Sequence, residues 1–73
     1  MPLIPSLSAR EILIALKRAG FEQKRQNGSH VILEQIYSKK SVVVPKHNPV
    51  KRGTVHSIIQ QSGLTVDEFL RLL

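Results

Sequence analysis

Asn27-Gly28 restricts this chain more than any other pair of residues. It stands between Phe21-Glu22-Gln23-Lys24-Arg25-Gln26 and a run that opens Ser29-His30-Val31-Ile32-Leu33. Asn-Gly between two such runs is a strong hairpin signal, because both central residues of a type I′ turn need positive φ. A tight turn fixes the register of the strand that follows it, and with it the side to which His30 points. The chain is therefore expected to contain a two-stranded ribbon with an imidazole aimed by rigid backbone.

The rest of the chain falls into place around that ribbon. Residues 1–7 read as an arm kept extended by Pro2 and Pro5, with Leu3 or Ile4 available to pack inward. Ser8 and Glu11 form a capping box, and Ile12, Leu13, Leu16 and Ala19 follow at helical spacing to a stop at Gly20. The spacing predicts a helix over about residues 9–19, with Arg10, Lys17 and Arg18 on its outer face. The first strand covers Phe21–Gln26, and after an Asn27-Gly28 turn the second runs from Ser29 to Tyr37. Lys39-Lys40 mark a second turn, and the β-branched stretch Ser41–Val44 is a third strand ended by Pro45. Residues 45–53, with two prolines, a glycine and three cations, read as a loop. A second helix presents Val55, Ile58 and Ile59 and stops at Gly63. Thr65 and Glu68 form another capping box, opening a short helix with Val66, Phe69, Leu70 and Leu73 facing inward.

The order α-β-β-β-α-α predicts a small α+β domain spanning residues 1–73: helices on one face of a three-stranded antiparallel sheet, the other face open to solvent. Alternation in the second strand sets Ser29, Val31, Leu33 and Gln35 against His30, Ile32, Glu34 and Ile36. Phe21, Val31 and Leu33 suit the core, which assigns His30 and Glu34 to the open face.

Charge indicates the kind of partner. Eleven Lys and Arg against five Asp and Glu give a net charge of +6 in 73 residues. That excess attracts polyanions, nucleic acid first and an acidic protein second, although solubility alone also accounts for it. Aromatic residues make up only 4 % of the chain, which argues against a base-stacking platform. With no cysteine, disulfides and thiolate metal sites are excluded. No His-x3-His pair supplies zinc ligands, and no Walker loop or nucleophile elbow is present, so no metal or cofactor is expected. No apolar run is long enough for a membrane span and the N-terminus lacks the pattern of an export signal, so a cytoplasmic protein is expected.

His30 carries the candidate chemistry. A strand histidine is ordinarily half-exposed and without a task. Against that, an imidazole exchanges protons near neutral pH, this one follows a rigid turn, and Lys24, Arg25, Lys39 and Lys40 are close to it in sequence. Such cations suit a phosphodiester and the charge that develops on its oxygens. RNA brings its own nucleophile, the 2′-hydroxyl, so a metal-bound water is not required. Gly28 and Ser29 would set the position of His30, with the Ser29 hydroxyl serving backbone or phosphate. His47 in the basic loop is a candidate for phosphate contact or for a second proton transfer, and Lys46, Lys51 and Arg52 for phosphate contact. His56 reads as structural.

Several segments together resemble the HicA family of toxins. They are Leu7-Ser8-Ala9-Arg10-Glu11 leading to Ala19-Gly20-Phe21, Arg25-Gln26-Asn27-Gly28-Ser29-His30, Val43-Val44-Pro45-Lys46-His47, Gly53-Thr54 through Ile58, and Gly63-Leu64 to Phe69-Leu70. The resemblance implies a double-stranded-RNA-binding-domain-like fold and an mRNA interferase activity without a metal. It implies that the histidine of Gly-Ser-His, here His30, is catalytic, with RNA as substrate and a HicB-type antitoxin as partner. Some relatives carry a second polar residue directly after that histidine, where this chain has Val31. Beside the ribonuclease stand two other readings: a non-catalytic module binding RNA duplexes by shape and phosphate contacts, and a protein-interaction module using its open face or edge strand.

Overall fold

The first helix begins on a cap that its own sequence supplies. In the computed structural model, which describes residues 3–73, the Glu11 N–H donates to the Ser8 hydroxyl at 3.2 Å and the Ser8 N–H to the Glu11 carboxylate at 2.9 Å. This box opens α1 (Ala9–Arg18) by pairing N–H groups that a helix start otherwise leaves without partners. Ile12, Ala15 and Leu16 are buried on its inner face. Pro2, read as stiffening the N-terminal arm, lies outside the described residues. Leu3 is exposed, whereas Ile4 packs against the core. Leu7 is buried and bridges to Val50, so the end of the arm is part of the packed structure.

Three strands follow: β1 (Phe21–Asn27), β2 (His30–Gln35) and β3 (Ser41–Pro45), antiparallel and in sheet order β1-β2-β3. The first turn departs from expectation by one residue. Asn27 pairs with His30, so the central residues are Gly28 and Ser29. Only Gly28 of the two has positive φ, at 61°, the pattern of a type II′ turn rather than I′. Asn27 therefore belongs to the strand and Ser29 to the turn. The second connection is also longer than expected. β2 ends at Gln35 rather than Tyr37, and residues 36–40 link it to β3 with Lys39 at φ 61°. The Gln35 N–H donates to the Lys40 carbonyl and the Lys39 N–H to the Gln35 carbonyl, at 2.8 and 3.0 Å. The strand stops there because those bonds close a loop.

α2 (Arg52–Ser62) ends at Gly63 with φ 80°, a left-handed cap that glycine takes without strain. Thr65 and Glu68 cap α3 (Val66–Arg71) through a second reciprocal box. The Arg18 guanidinium donates to the Leu72 carbonyl at 2.7 Å, tying the end of α1 to the end of α3. The helices cover one sheet face: Ile12, Leu16, Val55, Ile58, Ile59 and Phe69 meet Phe21, Val31, Leu33, Val42 and Val44 in one core. Each of these large side chains contributes about 1.5–3 kcal/mol by leaving water. Leu73, expected inside, is 42 % exposed and lies beyond the end of α3 at Arg71. The α+β architecture with helices on one face is the one expected from the sequence. No helix among the described residues is long and apolar enough to cross a membrane.

Candidate active site

The open face is set by the parity of β2. Val31 and Leu33 are buried beneath the helices, while His30, Ile32 and Glu34 take the other side. His30 is exposed and stands at the start of the strand, opposite Asn27 on β1 and Pro45 on β3. The next row is Arg25, Ile32 and Val43, and the one beyond it Glu22, Glu34 and Ser41.

A bulge determines which β1 residues join those rows. β1 has seven residues and β2 six, and the register slips between Gln23 and Arg25. A regular strand with Asn27 opposite His30 would turn Phe21 away from the core. The extra residue, Lys24, restores the parity, so Phe21 is buried while Arg25 and Asn27 stay on the His30 side. No residue type announces the bulge. With Asn27 read as a turn residue, the parity conflict between Phe21 and Asn27 that reveals it was not visible in the sequence.

The proposed cations sort differently from their order in the chain. Arg25 is diagonal to His30 across the β1–β2 ladder, a spacing that a long side chain spans. Lys24 sends its ammonium to 3.8 Å from the Glu22 carboxylate, both groups half-exposed. Lys39 and Lys40 belong to the far end of β2, roughly 17 Å from His30 at the usual rise per residue. There Lys39 is 3.8 Å from Glu34, so these two lysines are excluded from the surroundings of His30. The Lys46 ammonium donates to Gln26 Oε1 at 3.4 Å. Gln26 shares a row with Val31, so Lys46 leans to the side opposite His30.

His47 joins the site. A groove of about 670 Å³ is lined by His30, Val43, Pro45 and His47 together with Val50, Lys51 and Thr54. Both histidines are exposed at this groove. The loop that carries His47 is anchored on both sides of it. The Lys46 N–H donates to the Ser29 carbonyl at 2.7 Å, extending the β2–β3 ladder one step past Pro45. The Ala9 N–H donates to Asn48 Oδ1 at 3.1 Å, and the Val50 N–H to the Leu7 carbonyl at 2.8 Å. The Asn48-Pro49 peptide in this loop is cis. Gly28 lets the turn form, and Ser29 acts through its carbonyl. His56 is half-buried on α2, as its structural reading requires.

Sequence reasoning named Lys51 as a phosphate contact, but missed Asn48 as an anchor and Thr54 as a groove wall. Nothing local signals the latter two, since each depends on the loop crossing from β3 to α2. Among the described residues no group of three or more His, Cys, Asp or Glu is close enough to hold a metal ion. What the groove offers is an imidazole on rigid backbone, a second imidazole beside it and cations at the rim.

No curated protein matches the chain. The sequence profile of a family described as the HicA toxin of bacterial toxin–antitoxin systems matches residues 9–64. That span contains α1, the whole sheet, the Gly28-Ser29-His30 turn, the groove loop and α2. On this match the chain belongs to the HicA toxin family.

Proposed function

We propose that this toxin is an endoribonuclease that cleaves mRNA without a metal ion, with His30 performing one of the two proton transfers of the reaction. The 2′-hydroxyl attacks the adjacent phosphorus, the bond to the 5′-oxygen breaks, and a 2′,3′-cyclic phosphate and a 5′-hydroxyl result. A proton must leave the 2′-oxygen and another must reach the 5′-oxygen. One positioned imidazole contributes about 10²- to 10⁴-fold to such a step. Arg25 and Lys51 bind the phosphate and offset the charge on its oxygens as the bond order at phosphorus changes. Gly28 and Ser29 hold the turn that aims His30.

The observation that carries this reading is the exposure of His30 on the uncovered sheet face, at a groove with a basic rim, in a chain of the HicA family. An antitoxin of the HicB type neutralises the protein by covering that face, and an acidic surface on it suits the net charge of +6. The test is cleavage of single-stranded RNA in EDTA by wild type and His30→Ala, with equal melting curves and end-group analysis. Cleavage that disappears with His30 and leaves cyclic phosphate ends supports the reading. Equal cleavage by both proteins refutes the role of His30. Salt-sensitive RNA binding without cleavage by either supports instead a non-catalytic RNA-binding module.

A further inference from the structure

We infer that His47 performs the second proton transfer, so that the site is a two-imidazole acid–base pair assembled across the β2–β3 ladder. This rests on the ribonuclease reading of His30 and extends it to a particular partner residue.

Strand parity puts both rings on one side. Pro45 pairs with His30 on the open face. The next residue, Lys46, leans the other way to Gln26, and its N–H keeps the ladder in register through the Ser29 carbonyl. His47, one step further, returns to the His30 side, where both residues line the groove. Diagonal neighbours on such a ladder are about 7–8 Å apart at the backbone, and the gap between their side chains is open to a ligand. In-line transfer at phosphorus needs one proton-transfer group at the entering oxygen and another at the leaving oxygen. Each must come within hydrogen-bond reach, about 2.6–3.2 Å. Two imidazoles lining one groove, on residues two positions apart along the ladder direction, suit that requirement with a single phosphodiester between them.

The anchors argue in the same direction. His47 is exposed, yet the residue before it is bonded through its backbone and the residue after it through its side chain. Those bonds anchor the chain on both sides of a solvent-facing histidine, which is what a proton-transfer group needs and a solvating one does not. The balance is complete without a co-reactant. One imidazole takes the 2′-hydroxyl proton as the P–O2′ bond forms, and the other, protonated, gives its proton to the 5′-oxygen as the P–O5′ bond breaks.

The test uses a short RNA with one cleavable bond, and a second version in which sulfur replaces the bridging 5′-oxygen. A thiolate leaves without protonation, so a variant lacking the acid regains speed on the sulfur substrate. On ordinary RNA, His47→Ala is expected to fall by about 10²- to 10⁴-fold with an unchanged melting curve, and its pH–rate profile to lose one of the two limbs of the wild type. The sulfur substrate restores cleavage in one and only one of His30→Ala and His47→Ala. His47→Gln, which keeps the polar shape but exchanges no proton, behaves as His47→Ala and covers the case in which the alanine variant folds poorly. Activity of His47→Ala and His47→Gln within threefold of wild type overturns the inference, as does sulfur rescue in both single variants or in neither. If His30→Ala cleaves as wild type does, the ribonuclease reading of His30 fails first, and that outcome is distinguishable from these.

Discussion

Deleting Lys24 from the middle of a strand should leave this protein folded. The register pairs Gln23 with Leu33 and Arg25 with Ile32, with Lys24 unmatched between them. Removing it leaves Phe21 in the core, keeps Asn27 opposite His30 and turns β1 into a regular strand. The gain is about one ladder hydrogen bond, 0.5–1.5 kcal/mol. The loss is an exposed ion pair with Glu22, worth about 0–1 kcal/mol. The net change lies between a loss of about 0.5 and a gain of about 1.5 kcal/mol. Deleting Lys24 and Arg25 together reverses the parity and turns Phe21, 2 % exposed, toward solvent. That resembles a Phe→Ala truncation, about 3–5 kcal/mol, in a domain whose whole stability is about 4–11 kcal/mol. At about 4–8 °C per kcal/mol for a domain of this size, the single deletion should melt no more than about 4 °C below wild type. The double deletion should melt at least about 12 °C lower. Circular dichroism melts of the three proteins decide it. Equal losses from the two deletions, or a single deletion that costs more than about 3 kcal/mol, would refute the bulge argument.

Four further outcomes follow from local geometry. Phe69→Ala, at a fully buried position on α3, should lose about 3–5 kcal/mol in urea titration, and a loss below 1 kcal/mol would mean that α3 is not packed as described. Gly28→Ala meets no neighbouring atom, so its cost comes from the positive φ alone, about 1–2 kcal/mol; no loss at all would count against the turn. Asn48→Ala removes an acceptor from the Ala9 N–H and should cost about 0.5–2 kcal/mol while lowering RNA cleavage more than the melting temperature suggests. Glu68 accepts from the Thr65 N–H at 2.8 Å, and that bond, with the Thr65 hydroxyl second, holds its carboxyl below the ordinary 4.5. The box therefore stabilises the fold above about pH 4.5 and fades as acid carries pH down through the lowered value. Glu68→Gln should show a shallower decline of melting temperature on the acid side, and parallel curves would contradict the assignment.

Most of the architecture could be read from the residues because its signals are local. Both capping boxes, the Gly63 stop and the β-branched third strand each act within a few positions of themselves. The side of β2 on which His30 stands was legible too, since Phe21, Val31 and Leu33 leave the helices only one face to cover. The turn was misplaced by one residue because Asn-Gly fits two turn types, and it is the pairing of Asn27 with His30 that selects between them. Lys39 and Lys40, near His30 in sequence, are remote in the sheet because an antiparallel strand carries its two ends apart. The role of Asn48 was not legible, since its partner Ala9 is 39 residues away and no local pattern encodes such a pairing. The groove wall at Thr54 depends on the same long-range closure, whereas Lys51 was legible from its place in the basic loop.

That closure separates two stages in the assembly of the protein. The hairpins of the meander join residues near one another along the chain, and such contacts form early at little loop entropy. The bonds that hold the His47 loop, from Leu7 to Val50 and from Ala9 to Asn48, close the two halves of the chain on each other. A chain with its sheet formed but its N-terminal segment undocked has His30 in place and His47 at large. On the proposed two-imidazole reading, a chain in that state lacks a positioned second proton-transfer group. The closure also makes residues 7–9 a remote handle on the groove: a tag or truncation that disturbs them is expected to loosen the loop that carries His47 without altering any residue that lines it.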